Sequence, residues 1–363
     1  MGKSLMKGTE AIAEAAIQAG CKHFFGYPIT PQNEIPEYMS ARLPEEGGIY
    51  LQAESEVAAV NMVMGGACMG YRVMTTSSSP GISLMSEGIS YLAMAELPCV
   101  LVNVSRGGPG LGSILPAQGD YNQATRGGGH GDYKMIVLTP ANLQEAVDLT
   151  QDAFDLSQKH RTPVMILVDG FMGQMMESVE IKPRKIEAPS SNASWALGWR
   201  QERGGKSANL YSMRLEPEDL EAHNTYLQEK YRKIREKEAR CENFMVDDAK
   251  LVLTAYGTTS RVCRSAVNNL RAEGYKVGML RPITVWPFPS DNLAKLPGSV
   301  KAILDVEMSA AFPMADDVRL SLNGATSTRN IPVFTEGRWG GFAPTVRQVE
   351  DKCRELLKGG AVK

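Results

Sequence analysis

No two of the six cysteines (Cys21, Cys68, Cys99, Cys241, Cys263 and Cys353) form a C-x-x-C pair. Iron–sulfur clusters and structural zinc therefore have no ligand set in this chain. Most of these thiols lie in apolar sequence, which fits buried cysteines of a reducing cytoplasm. Long apolar runs are missing too, so no membrane span is expected. Met1-Gly2-Lys3-Ser4 leads into helical sequence without an apolar leader core, so no signal peptide is expected and the expected location is cytoplasmic. Net charge is scarce, −2 over 363 residues, which leaves no basic footprint for nucleic acid and no reason to propose a membrane surface. G-x-S-x-G, G-x-x-x-x-G-K-[ST], and G-x-G-x-x-G between strand and helix are all lacking. Serine hydrolases, P-loop nucleotidases and dinucleotide enzymes lose their usual support.

What is present is alternation. A length of 363 residues suggests two domains at roughly 150 residues each. An Ala-rich helix over 8–20 is followed by strand signals at 24–27, 49–52, 73–76, 99–104, 135–138 and 164–168. Helical signals at 81–95 and 143–157 fall between them. Short apolar strands separated by helices predict a parallel sheet covered on both faces, and 1–181 reads as one such domain. Residues 182–214 are polar and without period, a linker or surface arm. An amphipathic helix over 216–240 follows, with Leu220, Leu227, Tyr231 and Ile234 as its stripe and Glu229–Lys233 and Glu236–Arg240 as i,i+4 pairs. The connector is thus placed at 182–248. Strand signals resume at 251–255, 277–280, 302–305 and 332–334, and a helix over 345–357 ends a smaller α/β domain at 249–363.

The stretch 24–60 holds the candidate chemistry. Each half reads as a short buried strand, a loop at its carboxyl end and a helix. Ligands of parallel sheets bind outside those carboxyl ends, which gives Thr30 and Glu56 an address. Glu54 and Glu56 point about 200° apart on a helix and cannot share a face. Glu56 lies over Ala59, Val60 and Val63, and Glu54 over Val57, Ala58 and Asn61. A carboxyl on the drier face suits proton exchange with a bound group. The competing reading makes both acids first-turn residues favoured by the helix dipole.

Two Gly-rich loops add candidates. Arg106-Gly107-Gly108-Pro109-Gly110-Leu111-Gly112 follows a strand, and an arginine there could clamp a carboxylate bidentately or lie solvated on the surface. In Arg126-Gly127-Gly128-Gly129-His130-Gly131 a strand comes next, so a helix N-terminus that could hold an anion is lacking. His130 reads as a loop residue, with catalysis as the alternative.

Tyr27-Pro28-Ile29-Thr30-Pro31, then Glu54-Ser55-Glu56-Val57-Ala58-Ala59, then Arg106 after a strand, resemble the pyrimidine-binding domain of 2-oxoacid:ferredoxin oxidoreductases. Leu280-Arg281-Pro282-Ile283-Thr284-Val285-Trp286-Pro287-Phe288-Pro289 resembles the matching stretch of their transketolase-C-like domain. The resemblance implies an α/β thiamine diphosphate pyrimidine-binding domain plus a smaller transketolase-C-like one. It implies thiamine diphosphate as cofactor, with Glu56 bonded to N1′ of the aminopyrimidine and Tyr27, Pro28 and Ile29 beside it. Thr30 and Arg106 would contact the 2-oxoacid. Electrons would pass to iron–sulfur clusters of a ferredoxin-like partner, and coenzyme A would take the acyl group. No Gly-Asp-Gly followed by Asn is present, so magnesium and diphosphate would belong to a partner subunit, with a gamma-type subunit completing the complex. The chain alone should be inactive. In the 2-oxoglutarate type the arginine loop usually reads G-P-S-T-G. Here Pro109 is followed by Gly110-Leu111-Gly112 and then Ile114-Leu115, more like the branched-chain 2-oxoisovalerate type. The alternatives are a 2-oxoglutarate:ferredoxin oxidoreductase subunit, a lipoamide-linked dehydrogenase subunit and a non-catalytic α/β binding subunit.

Overall fold

The computed structural model describes residues 2–184, 194–201, 204–323 and 330–359. Of the arm read over 182–214, residues 185–193 and 202–203 lie outside the described residues. The first part runs β1 (Ser4–Lys7), α1 (Gly8–Gln18), β2 (His23–Gly26), α2 (Glu34–Glu45), β3 (Ile49–Gln52), α3 (Glu56–Cys68), β4 (Val73–Ser77) and α4 (Ser79–Met94). It continues with β5 (Cys99–Gly107), β6 (Ser113–Pro116), α5 (Tyr121–Thr125), β7 (Ile136–Leu138), α6 (Leu143–His160), β8 (Pro163–Asp169), α7 (Gly170–Gln174) and β9 (Met176–Val179). After α8 (Pro217–Glu238) come β10 (Cys241–Phe244), β11 (Leu251–Thr254), α9 (Gly257–Ala272), β12 (Val277–Pro282) and β13 (Thr284–Trp286). The chain closes with α10 (Ser290–Ala294), β14 (Ala302–Glu307), α11 (Pro313–Asn323), β15 (Val333–Gly337) and α12 (Val346–Lys358).

Among the described residues the strands form three sheets. The main one has the order β13-β7-β8-β5-β4-β2-β3, with β6 attached to β5. From β7 to β3 every pairing on that path is parallel. Strands β4, β5 and β8 are buried at every position, as central parallel strands with helices on both faces must be. Helix α1 supplies Ala11, Ala13, Ala15 and Ala16 to that core with no exposed surface. The second sheet has the order β10-β12-β11-β14-β15, and β1 pairs with β9 antiparallel.

Several expectations change. Strand β3 is not buried: it is the sheet edge, with Ile49 53% and Leu51 45% exposed. Strand β10 lies inside the stretch read as connector, yet it pairs antiparallel with β12. Strand β13 lies within 249–363, yet it pairs antiparallel with β7 of the main sheet. On α8, Leu227, Tyr231 and Ile234 are buried, whereas Leu220 is exposed. Glu229 meets Lys233 at 3.6 Å, but Glu236 pairs with Arg232 and Arg240 with Asp152.

The seam between the two main sheets is polar and closely bonded. Arg281, 3% exposed, donates to both carboxylate oxygens of Glu145 (2.9 and 2.8 Å) and to Glu242 (2.9 Å). The Thr139 amide donates to the Ile283 carbonyl at 2.8 Å, and Trp286 meets Tyr231 edge-on at 5.8 Å. The stretch 280–289 is thus the crossing from one sheet to the other.

Candidate active site

Strand β2 leads on to the edge strand β3, whereas β4 returns to the other side of β2. That reversal is a topological switch point, where open α/β sheets bind ligands. Four adjacent strands deliver residues there: Thr30 after β2, Glu56 after β3, Ser77 at the end of β4 with Ser78 to Gly81 following, and Arg106 near the end of β5.

Ser55 caps α3, its Oγ accepting from the Ala58 amide at 3.2 Å. Glu56 is then the first helical residue and is 5% exposed, whereas Glu54 is exposed. Ala59, Val60 and Val63 are buried beneath Glu56, as the helical angles require. The Glu56 carboxylate lies over Gly81 in the first turn of α4, where an added Cβ would stand 2.5 Å from Oε1. No hydrogen bond from a described residue reaches it. The buried hydroxyls of Ser77 and Ser78 also lack partners among the described residues. Buried hydroxyls without partners are costly unless something else bonds them. Those residues fit the aminopyrimidine half of thiamine diphosphate, a flat heterocycle with donors and acceptors on its edge. Among the described residues no group of three His, Cys, Asp or Glu could hold a metal ion.

The loop 27–31 is stitched down from beneath. Gln32, fully buried, donates to the Tyr27 carbonyl at 3.2 Å and accepts from Thr76 Oγ1 at 2.5 Å. Tyr27 and Ile29 are half-buried, Pro28 and Thr30 exposed. Arg106 differs from its expected setting: it belongs to strand β5 rather than to the loop, and it is 6% exposed. Its Nη1 donates to the Thr30 carbonyl at 2.8 Å and its Nη2 to the Leu111 carbonyl at 3.2 Å. Its Nε is buried without a partner. Thr30 and Arg106 are therefore brought together.

The second Gly-rich loop packs against α4, where a Cβ on Gly129 would lie 2.3 Å from the Ser86 carbonyl. Arg126 pairs with Asp317 of α11 at 2.8 Å. His130 is exposed and stands edge-on to Tyr91 at 6.1 Å, away from Glu56 and Arg106 in sequence and bonding alike.

The family model for pyruvate flavodoxin/ferredoxin oxidoreductase, thiamine diphosphate-binding, matches residues 14–243. The chain belongs to the 2-oxoacid:ferredoxin oxidoreductase family. The model for pyruvate:ferredoxin oxidoreductase core domain II matches residues 249–349. Ketoisovalerate oxidoreductase subunit VorB of Methanothermobacter thermautotrophicus is 48% identical over 98% of both chains. 2-oxoglutarate synthase subunit KorA of Methanocaldococcus jannaschii is 37% identical, covering 85% of this chain and 89% of its own. A solved 2-oxoglutarate:ferredoxin oxidoreductase from Magnetococcus marinus, with 2-oxoglutarate, coenzyme A and succinyl-CoA bound, superposes with a TM-score of 0.84 at 26% identity. That likeness covers 98% of this chain and 65% of the other, longer one. A split-gene transketolase at 14% identity and a TM-score of 0.59 shares the fold.

In this 2-oxoacid:ferredoxin oxidoreductase chain, four polar residues that sequence reasoning did not find support the candidate site from behind: Gln32, Ser79, Asn103 and Asp120. Asn103, set among the apolar residues of 99–104, was the one available signal. Asp120 Oδ2 accepts from Ser79 Oγ at 2.6 Å and from Asn103 Nδ2 at 2.9 Å.

Proposed function

We propose that this chain is the pyrimidine-binding subunit of a complex that oxidatively decarboxylates a branched-chain 2-oxoacid, 2-oxoisovalerate. The observation carrying the proposal is Glu56, 5% exposed at the switch point with its carboxylate over Gly81, and the Arg106–Thr30 pair delivered to the same carboxyl end of the sheet. The substrate class rests on the 48% identity to a ketoisovalerate oxidoreductase subunit. In the net reaction the 2-oxoacid loses CO2, two electrons pass singly to ferredoxin, and the thiol of coenzyme A takes the acyl group.

Thiamine diphosphate, when bound, supplies the carbon nucleophile and the electron sink for that chemistry. The residues of this chain prepare it. Glu56 would hold N1′ of the aminopyrimidine through a shared proton, and Tyr27, Pro28 and Ile29 would wall that ring. Arg106 retains its Nε–H and one N–H on each terminal nitrogen after bonding two backbone carbonyls, enough for a bidentate grip on the substrate carboxylate. Thr30 Oγ1 accepts from Asn33 at 3.4 Å, so its own hydrogen is available to the same substrate. Residues 1–181 form the pyrimidine-binding domain, 182–248 the connector with its helix, and 249–363 the transketolase-C-like domain. A partner subunit supplies the magnesium and diphosphate half, a ferredoxin-like subunit the iron–sulfur clusters, and a gamma-type subunit completes a cytoplasmic assembly.

The test is C2 proton exchange of bound cofactor in the reconstituted complex. Positioned acid–base groups contribute about 10²–10⁴-fold, so Glu56→Gln should slow exchange by that order and Glu54→Gln should not. Equal effects of the two would sink the assignment.

A further inference from the structure

We propose that Asp120 is a positioning residue for the substrate-carboxylate side of the site, and that the second domain acts on the site through it; this rests on the role given above to Arg106. Asp120 Oδ2 receives the Ser79 hydroxyl hydrogen at 2.6 Å and the Asn103 amide at 2.9 Å. An ionised carboxylate only accepts, and a serine hydroxyl has one hydrogen. With that hydrogen given to Asp120, Ser79 Oγ turns its lone pairs outward and accepts the Arg106 amide at 3.0 Å. Asn103 is oriented likewise: with its NH2 on Asp120, its Oδ1 accepts the Ser79 amide at 3.2 Å. One carboxylate oxygen thereby locks the first residue of α4 to the end of β5. Without it the Ser79 hydroxyl is free to turn its hydrogen to the Arg106 carbonyl, 3.4 Å away, and Ser79 is no longer fixed in place to accept the Arg106 amide.

Asp120 is itself held by the second domain on both sides. Gln118 donates its amide to the Met308 carbonyl at 2.9 Å and its Nε2 to the Tyr256 carbonyl at 3.0 Å. Its Oε1 accepts from Thr259 Oγ1 and from the Met308 amide, each at 2.8 Å. Tyr121, the following helical residue, donates its hydroxyl to Asp317 at 2.6 Å. Segment 118–121 is therefore clamped to the residue after β14, to the start of α9 and to α11, while Asp120 bonds Ser79 and Asn103 of the first domain. Nothing in this path touches Glu56, so it should govern the grip on the substrate carboxylate and not cofactor activation.

The experiment uses the reconstituted complex for kinetics and the purified full chain for amide hydrogen exchange. Asp120→Ala should raise KM for 2-oxoisovalerate about 10- to 100-fold, the range of a lost charge-assisted hydrogen bond. Its kcat and the C2 exchange rate of bound cofactor should stay within about threefold. Asp120→Asn keeps an acceptor oxygen and should restore most of the KM. In the full chain alone, the amides of Ser79 and Arg106 should lose protection in the Ala variant and keep it in the Asn variant. An unchanged KM in Asp120→Ala, a fall in kcat with KM steady, or an Asn variant no better than Ala would each overturn the proposal. A wild-type complex that oxidises no 2-oxoacid would instead overturn the function proposed above, and the amide protection would still decide whether Asp120 holds Ser79 and Arg106.

Discussion

Gly81 allows Glu56 to be displaced without being replaced. A methyl group there would stand 2.0 Å from Ser77 Oγ, 2.5 Å from Glu56 Oε1 and 2.9 Å from Glu56 Cγ. Non-bonded heavy atoms settle at about 3.5–4.0 Å, so two of these three contacts must open by an ångström or more. Ser77 is fully buried on a central strand and has little room to retreat. The Glu56 side chain is the part that gives. Overpacking of this kind typically costs about 1–3 kcal/mol. Borne at Glu56 in the activated arrangement, that is roughly a 5- to 150-fold loss of rate at 1.36 kcal/mol per decade. Gly81→Ala should therefore slow C2 proton exchange of bound cofactor by about one to two decades, less than Glu56→Gln. Gly65→Ala in α3 is the matched control, because no atom lies within 4 Å of its added Cβ. A mid-helix Gly→Ala change gains about 1 kcal/mol, so that variant should melt higher and exchange normally. A folded Gly81→Ala protein with wild-type exchange would refute the argument that Glu56's position over Gly81 matters for activation.

Arg106→Ala should lower kcat/KM by roughly 30- to several-thousand-fold, the effect of about 2–5 kcal/mol for a truncated buried charge partner, similarly for 2-oxoisovalerate, pyruvate and 2-oxoglutarate. Arg106→Lys should recover only part of it; selective loss of 2-oxoglutarate turnover would mean that Arg106 reads a side-chain carboxylate. The purified chain, titrated calorimetrically with thiamine diphosphate and magnesium, should bind weakly, and micromolar affinity without a partner would reveal a diphosphate site within it. The buried carboxyls Asp305 and Glu307 give the fold a pH dependence. Burial pushes Asp305 up to about 6 and Glu307 well above the carboxylate range, with the neighbouring Asp305 adding to the rise. The folded chain keeps protons there that the unfolded chain releases above about pH 4. Stability from this pair is thus fully present below about pH 4 and is lost as pH rises through 6 and beyond. Glu307→Gln, which keeps an acceptor for the Met314 amide at 3.0 Å, should flatten the decline of melting temperature between about pH 5 and 8. An unaltered slope would show that the pair does not hold the proton.

The order of strands and helices was legible because it is carried by local periods. Alternation between apolar strands and amphipathic helices needs only neighbouring residues to be read. The separation of Glu56 from Glu54 was legible for the same reason: the angle between them is a property of one helix turn, and the burial of Ala59, Val60 and Val63 follows it. Sheet order is not local. Residues 49–52 look like a central strand, yet β3 is an edge because β4 returns to the far side of β2. Arg106 reads as the start of a glycine loop, but pairing with β6 carries the strand on to Gly107 and buries the guanidinium against the Thr30 and Leu111 carbonyls. The 280–289 stretch had no sequence sign that β13 would leave one sheet for another, since Thr284 and Trp286 pair with Leu138 and Val137. Ser79, Asn103 and Asp120 are ordinary polar residues in sequence. They become a unit because β4, β5 and the segment after β6 end at the same edge, where each donor finds an acceptor on a different segment of the chain. Helical and strand periods identify a carboxylate and its face; which carbonyl, hydroxyl or guanidinium stands opposite it is decided by non-local pairing of strands, through contacts that no stretch of sequence contains.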